Sequence, residues 1–271
     1  MHILVTNDDG VHAPGIAALA AALRSVGRVT VLAPDRNWSA SGHVKTLHKP
    51  LRLKATTTAD GEPAFASSGA PSDCVALAVL GAVEGPIDLV VSGINPVCNL
   101  GHDVTYSGTV TAAMEAAVWD IPAIAVSMNG DYGHFNDLDY RPAATIARRV
   151  AEGVLRNGLP PKTLLNVNVP SGTLDQMRGQ RVTRQGHRVY YDELVVRNDP
   201  RGHPYYWFGG DEPGGTVETG TDLGAIANKT VSISPLRLDL TAVDLLSTLR
   251  DWGLERDDLS EEPTPPGRPP S

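Results

Sequence analysis

Two adjacent carboxylates, Asp8 and Asp9, follow the apolar run Ile3-Leu4-Val5 and precede Gly10, so they stand where a buried strand would end. Crowded carboxylates repel and are costly to desolvate, and such a pair calls for a cation, a shared proton or full exposure. The alternative is a solvated Asp-Asp-Gly turn, because Asp and Gly suit tight turns. Two further segments behind apolar runs carry oxygen donors, Arg36-Asn37-Trp38-Ser39-Ala40-Ser41-Gly42 and Ser92-Gly93-Ile94-Asn95. Two carboxylates, a Ser hydroxyl and an Asn carbonyl would make an all-oxygen ligand set. Hard donors of that kind suit Mg²⁺ or Mn²⁺, whereas zinc prefers nitrogen and sulfur.

A third feature is the run Tyr106-Ser107-Gly108-Thr109-Val110, which opens a helical stretch. Ser107 sits where an N-cap belongs, and the N–H groups of Gly108 and Thr109 then form a positive helix end. Such an end binds phosphate well; an ordinary capped helix is the plainer reading. A cation beside an anion hole is the equipment of phosphoester hydrolysis. Other chemistries lack their motifs: no GxGxxG follows the first strand, and neither GxxxxGK[ST] nor GxSxG is present. The eight histidines are scattered without HExxH. His43 and His102, in candidate site loops, are read as supporting or merely exposed.

The elements that must position these residues alternate. Residues 2–7 read as a buried strand, 16–26 as a helix opened by Pro14 and stopped by Gly27, and 29–32 as the next strand, the size of a parallel crossover. The pattern repeats with helix 75–83, strand 87–91, helix 108–119, strand 123–127, helix 141–156 and strand 164–169. Ala143, Ile146, Val150 and Val154 share one face of the long helix. A doubly wound α/β sheet is expected. Ligands bind outside the carboxyl ends of strands in such a sheet, and if the first three strands lie side by side their loops meet at one edge.

Residues 181–208 carry Tyr190, Tyr191, Tyr205, Tyr206 and Trp207 on two β-prone arms around Asn198-Asp199-Pro200-Arg201-Gly202. This predicts a projecting hairpin, 181–210, acting as an oligomer contact. One domain is expected over 1–252, its end formed by a helix at 242–252, followed by an acidic, Pro-rich disordered tail over 253–271.

The chain has 271 residues, a formal charge of −8 and no basic run, which disfavours long nucleic acid as a partner. Its two cysteines, Cys74 and Cys98, lack CxxC or zinc-ligand spacing, which fits a reducing cytoplasm. The N-terminus shows no basic leader with an apolar core, and no stretch approaches the roughly 18 apolar residues of a membrane span. A soluble, cytoplasmic protein is expected.

Val5-Thr6-Asn7-Asp8-Asp9-Gly10, Ala33-Pro34-Asp35-Arg36 with Ser39, Ser92-Gly93-Ile94-Asn95 and Tyr106-Ser107-Gly108-Thr109-Val110 occur in that order. Gly69-Ala70-Pro71, Leu165-Asn166-Val167-Asn168-Val169-Pro170 and Val231-Ser232-Ile233-Ser234-Pro235 accompany them. In these motifs, which span about residues 1–250, the chain resembles the survival protein SurE family of metal-dependent 5'/3'-nucleotidases. The resemblance implies a Rossmann-like, doubly wound, mostly parallel sheet with a projecting hairpin and a C-terminal segment exchanged in dimers or tetramers. It implies one divalent metal, Mg or Mn, per subunit on Asp8, Asp9, Ser39 and Asn95, with phosphate contacts from Ser107, Gly108, Thr109 and Asn95. The catalytic work falls to Asp8, Asp9 and Asn95, with the proton acceptor open between Asp9 and an aspartyl-phosphate route through Asp8. The implied reaction is hydrolysis of nucleoside monophosphates, extending to polyphosphate. One departure is Pro96-Val97, where the family usually has Gly two residues after the Asn ligand; it bears on the substrate loop. The competing readings are a non-catalytic metal- and nucleotide-binding regulatory module and a purely structural assembly protein, and the latter leaves the oxygen-bearing loops unexplained.

Overall fold

The computed structural model describes residues 1–130, 137–255 and 257. In chain order the elements are β1 (His2–Thr6), α1 (Pro14–Leu23), β2 (Arg28–Pro34), β3 (Leu53–Thr57), β4 (Pro63–Ser67), α2 (Pro71–Leu77), β5 (Leu89–Asn95), α3 (Gly108–Val118), β6 (Ala123–Met128), α4 (Arg141–Asn157) and β7 (Thr163–Val169). They continue as β8 (Gln180–Val182), β9 (Arg188–Asn198), β10 (Pro204–Gly215), α5 (Asp222–Ala227), β11 (Val231–Arg237) and α6 (Leu246–Asp251). The main sheet has the order β3-β4-β2-β1-β5-β6-β7-β11-β8. Strands β4, β2, β1, β5, β6 and β7 run parallel. β11 is antiparallel to β7, and β3 to β4.

Strand alternation explains why helices cover both faces. In β1, Ile3 and Val5 join one buried cluster while Leu4 joins the other. The first cluster packs beneath α1 and α4 through Ile16, Leu19, Leu23, Ile146, Val150 and Val154. The second packs beneath α2 and α3 through Val75, Ala78, Val110, Ala113 and Ala116. This is the doubly wound α/β arrangement, and it buries near-continuous apolar strands between two helical layers. The alanines and glycine of α3 let it lie close against the sheet.

Several elements differ from the sequence expectation. The pair β3–β4 was not expected; it is an edge hairpin turned at Asp60-Gly61, where Gly61 has φ +84° and Thr58 N–H bonds to Glu62 O at 2.9 Å. Arg181 and Val182 belong to β8 in the main sheet, because they pair with Ser232 and Ile233 of β11. The separate hairpin is therefore β9–β10, with Leu194 opposite Phe208 and Val195 opposite Trp207. Finally, the expected helix at 75–83 starts earlier, at Pro71, with the Asp73 carboxylate accepting from Ala70 N at 2.9 Å, and passes into a looser turn at Ala78–Ala82 where Gly81 has φ +100°.

The chain divides into two compact units, Met1–Leu238 and a second beginning at Asp239. Within the second, a 3-10 turn at Val243–Leu245 runs into α6. Of the segment expected as a tail, 253–271, only 253–255 and 257 lie within the described residues. Among the described residues no helix is long and apolar enough to cross a membrane.

Candidate metal centre

The order β2-β1-β5 brings the carboxyl ends of these three strands side by side, which meets the condition under which their loops gather. Thr6 pairs with Ser92 as the last pair of the β1–β5 ladder, and Asp8 and Asn95 follow it by two and three residues. The segment Ser92-Gly93-Ile94-Asn95, expected as a loop, is instead the end of β5, because Ser92 and Asn95 pair with Ala125 and Ser127 of β6 across a register shift.

Asn7 clamps the carboxylate turn. Its Nδ2 donates to Gly10 O at 3.0 Å and its Oδ1 accepts from Gly10 N at 3.2 Å, bracketing Asp8 and Asp9. Gly10 has φ +104°, a conformation L side chains rarely adopt. The loop after β2 is fastened to this turn by Trp38 N–H donating to Asp8 O at 2.7 Å. Ser39 is the next residue and is exposed, with its N–H on Asn37 Oδ1 at 2.7 Å. Asn95 is half-buried, and its Nδ2 donates to Val97 O at 2.5 Å, which leaves Oδ1 as the available donor atom. The backbone carbonyl of Val97, which any residue at this position would supply, orients the Asn95 amide.

Helix α3 comes in end-on. Ser107 caps it, accepting from Val110 N at 3.1 Å. The Thr109 hydroxyl donates to Asp8 Oδ1 at 2.5 Å, and the backbone N–H groups of Gly108 and Thr109 lower the proton affinity of the same carboxylate. Gly108 makes this approach feasible, since a Cβ there would stand 2.6 Å from Asp8 Cβ. The positive helix end expected to hold phosphate therefore already holds an anion, the buried Asp8.

Burial pushes the Asp8 carboxyl above its ordinary value, against the lowering effect of Thr109 and the helix N–H groups. Burial, then the charge of Asp8, pushes Asp9 up to about 7. Among the described residues neither carboxylate is ion-paired with Lys, Arg or His. Nor do three or more His, Cys, Asp or Glu side chains gather there for a metal. Two carboxylates crowded without a protein cation are what a hard divalent ion would neutralise, and by chemistry the oxygens of Asn95, at the neighbouring strand end, and of Ser39, in the loop tied to Asp8, fit one.

Several contributors were not foreseen. The loop after β5 is held by a buried amide network, in which Asn99 O accepts from Asn166 Nδ2 at 2.9 Å and Asn168 Nδ2 at 3.1 Å, and Asn99 Nδ2 donates to Ser127 Oγ at 2.7 Å. Glu115, two turns along α3, receives His43 Nε2 at 2.9 Å, Lys45 Nζ at 3.1 Å and Trp119 Nε1 at 3.0 Å. It anchors the exposed loop that carries Ser39 to the helix that carries Thr109. A lone acid among the small residues of α3 was the signal for it. His43 is thus a support, and His102 stacks edge-on against His187 at 5.4 Å.

The family model "Survival protein SurE" matches residues 3–192. A 5'-nucleotidase SurE from Herpetosiphon aurantiacus is 53% identical over 249 residues, covering 92% of this chain and 97% of that protein. One from Chloroflexus aggregans is 51% identical over 259 residues, covering 94% and 100%. The crystal structure of SurE protein from Aquifex aeolicus superposes with a TM-score of 0.80 at 40% identity, covering 93% of this chain and 100% of that one.

Proposed function

We propose, on the premise that this chain belongs to the survival protein SurE family, that it is a divalent-cation-dependent 5'-nucleotidase that also accepts 3'-monophosphates and releases nucleoside and phosphate. The observation that carries this reading is the carboxylate pair Asp8–Asp9, clamped at a sheet edge with the end of α3 aimed at it. We assign the cation to Asp8, Asp9, Asn95 and Ser39. When bound, it supplies Lewis acidity, neutralising phosphoryl charge and acidifying an attacking water.

The chain's own residues do the rest. Asn7 and Thr109 fix the position and orientation of Asp8, so little reorganisation is needed at the moment of reaction. The end of α3, at Ser107, Gly108 and Thr109, is turned to Asp8, and its positive field, with Asn95, also favours negative charge on a phosphoryl group held by the cation on that carboxylate. Asp9, the carboxylate beside Asp8 at this strand end, is the side chain we assign to accept the water's proton.

The metal is assigned as Mg²⁺ or Mn²⁺ from the oxygen donors. Cys74 and Cys98 are free and buried, which supports a reducing cytoplasm. The exposed Leu194, Trp207 and Phe208 of the hairpin support assembly into dimers or tetramers.

Phosphate release from 5'- and 3'-nucleoside monophosphates and a generic phosphomonoester, with Mn²⁺, with Mg²⁺ and with chelator, tests the reading. Metal-dependent release favouring nucleotides is the expected result. Nucleotide binding without release by folded protein would replace the enzyme with a binding module.

A further inference from the structure

The assigned machinery holds the phosphate and the cation and leaves the nucleoside unaccounted for. Tyr106 immediately precedes the Ser107 cap, so it borders the helix end assigned to the phosphoryl group. It is 60% exposed, and Tyr190 of β9 meets it edge-to-face, with centroids 6.5 Å apart and planes at 89°. Tyr190 lies near the root of the hairpin, where Arg188 pairs with Gly215, away from the Asp199-Arg201 turn at the far end.

This aromatic pair is held in place from both sides by one residue. The Tyr190 hydroxyl donates to Asp103 Oδ1 at 2.8 Å, and Arg188 Nε lies 3.1 Å from Asp103 Oδ2 with both side chains largely buried. Tyr106 N–H donates to Asp103 O at 3.0 Å, and Tyr106 O accepts from Gly42 N at 2.9 Å, which ties the ring's backbone to the loop carrying Ser39. A second carboxylate, Asp222, accepts from Gly101 N at 2.8 Å and Gly186 N at 2.7 Å, fixing the 3-10 turn at Gly101–Thr105 to the start of the hairpin. With its backbone fixed at both groups and its ring against the anchored Tyr190, Tyr106 gives up less conformational freedom on taking a ligand than a free side chain would, which is how a preorganised platform gains affinity.

We propose that Tyr106, backed by Tyr190, is the surface on which the nucleobase of the substrate stacks. This rests on the nucleotidase reading. Stacking uses the π-face that all bases share, so the site tells a nucleotide from a bare sugar phosphate while accepting different bases.

The test compares adenosine 5'-monophosphate, cytidine 5'-monophosphate and ribose 5-phosphate on the full chain with Mn²⁺, in wild type, Tyr106→Ala, Tyr106→Leu and Tyr106→Phe. The readout is the ratio of kcat/KM for each nucleotide to that for ribose 5-phosphate. Loss of a stacked base costs about tenfold or more, so the ratio is expected to fall about tenfold in Tyr106→Ala and Tyr106→Leu, through KM for the nucleotides. Tyr106→Phe is expected to keep it. An inactive fraction lowers all rates equally and leaves the ratio untouched, and Tyr106→Leu provides a reading should the alanine variant not fold. An unchanged ratio in the active alanine or leucine variant overturns the proposal. Absence of release from all three substrates by wild type would instead overturn the nucleotidase reading.

Discussion

At Asp8 burial, the Thr109 hydroxyl, the end of α3 and a neighbouring carboxylate converge. Its tolerance for position is correspondingly small. Gly108→Ala would place a methyl 2.6 Å from Asp8 Cβ and 2.9 Å from Oδ2. Backbone and carboxylate must then separate, and a displacement on the order of 1 Å at a reacting site can cost about 100-fold. We expect Gly108→Ala to keep its circular dichroism spectrum and lose about that factor in metal-dependent kcat/KM; a wild-type rate would show that the contact is not part of the site. The carboxylate pair and the Ser107 cap were legible in the sequence because each is a local pattern. The Thr109 hydroxyl on Asp8 was not, since that contact joins residues 101 apart in the chain and only the packing of α3 on β5 and β6, beside the end of β1, creates it.

At the scale of elements, strands and helices with one-sided or two-sided burial were readable. The face of α4 carrying Ala143, Ile146, Val150 and Val154 is buried as its spacing required. The edge strand β3 and its neighbour β4 escaped notice because they are only five residues each, β3 being largely exposed, with little apolar alternation to mark them. The long loop after β2 was legible as a donor-bearing segment, but not its anchor on α3. Burial raises the proton affinity of Glu115, yet the bonds from His43, Trp119 and Lys45 outweigh it and hold the carboxyl at about 2, below its ordinary 4.5. A folded-state value below the unfolded one stabilises the protein above pH 4.5, and that contribution is lost as pH falls from 4.5 toward 2. With Lys45 half-exposed and screened, it amounts to about 1–3 kcal/mol. Urea titrations of wild type and Glu115→Gln should therefore differ at pH 7 and converge toward pH 2; parallel curves across that range would remove Glu115 as the anchor.

The whole molecule joins an acidic α/β core to an aromatic arm. The core class was legible from its alternation of apolar runs, whereas where the arm begins depended on Arg181 and Val182 pairing with β11, a long-range choice that local propensity cannot encode. Phe208 is 89% exposed and Trp207 64%, a surface suited to a second copy of the chain. Light scattering should give a mass above that of one chain, and Phe208→Asp should lower it; an unchanged mass would move the interface elsewhere. The central claim, that the Asp8–Asp9 pair holds the cation used to hydrolyse a phosphomonoester, is tested most directly by Mn²⁺-dependent phosphate release from adenosine 5'-monophosphate in wild type and Asp8→Asn, with folding checked by circular dichroism. The account predicts release by wild type that chelator abolishes, and none above background from a folded Asp8→Asn protein. Normal turnover by that variant would contradict it.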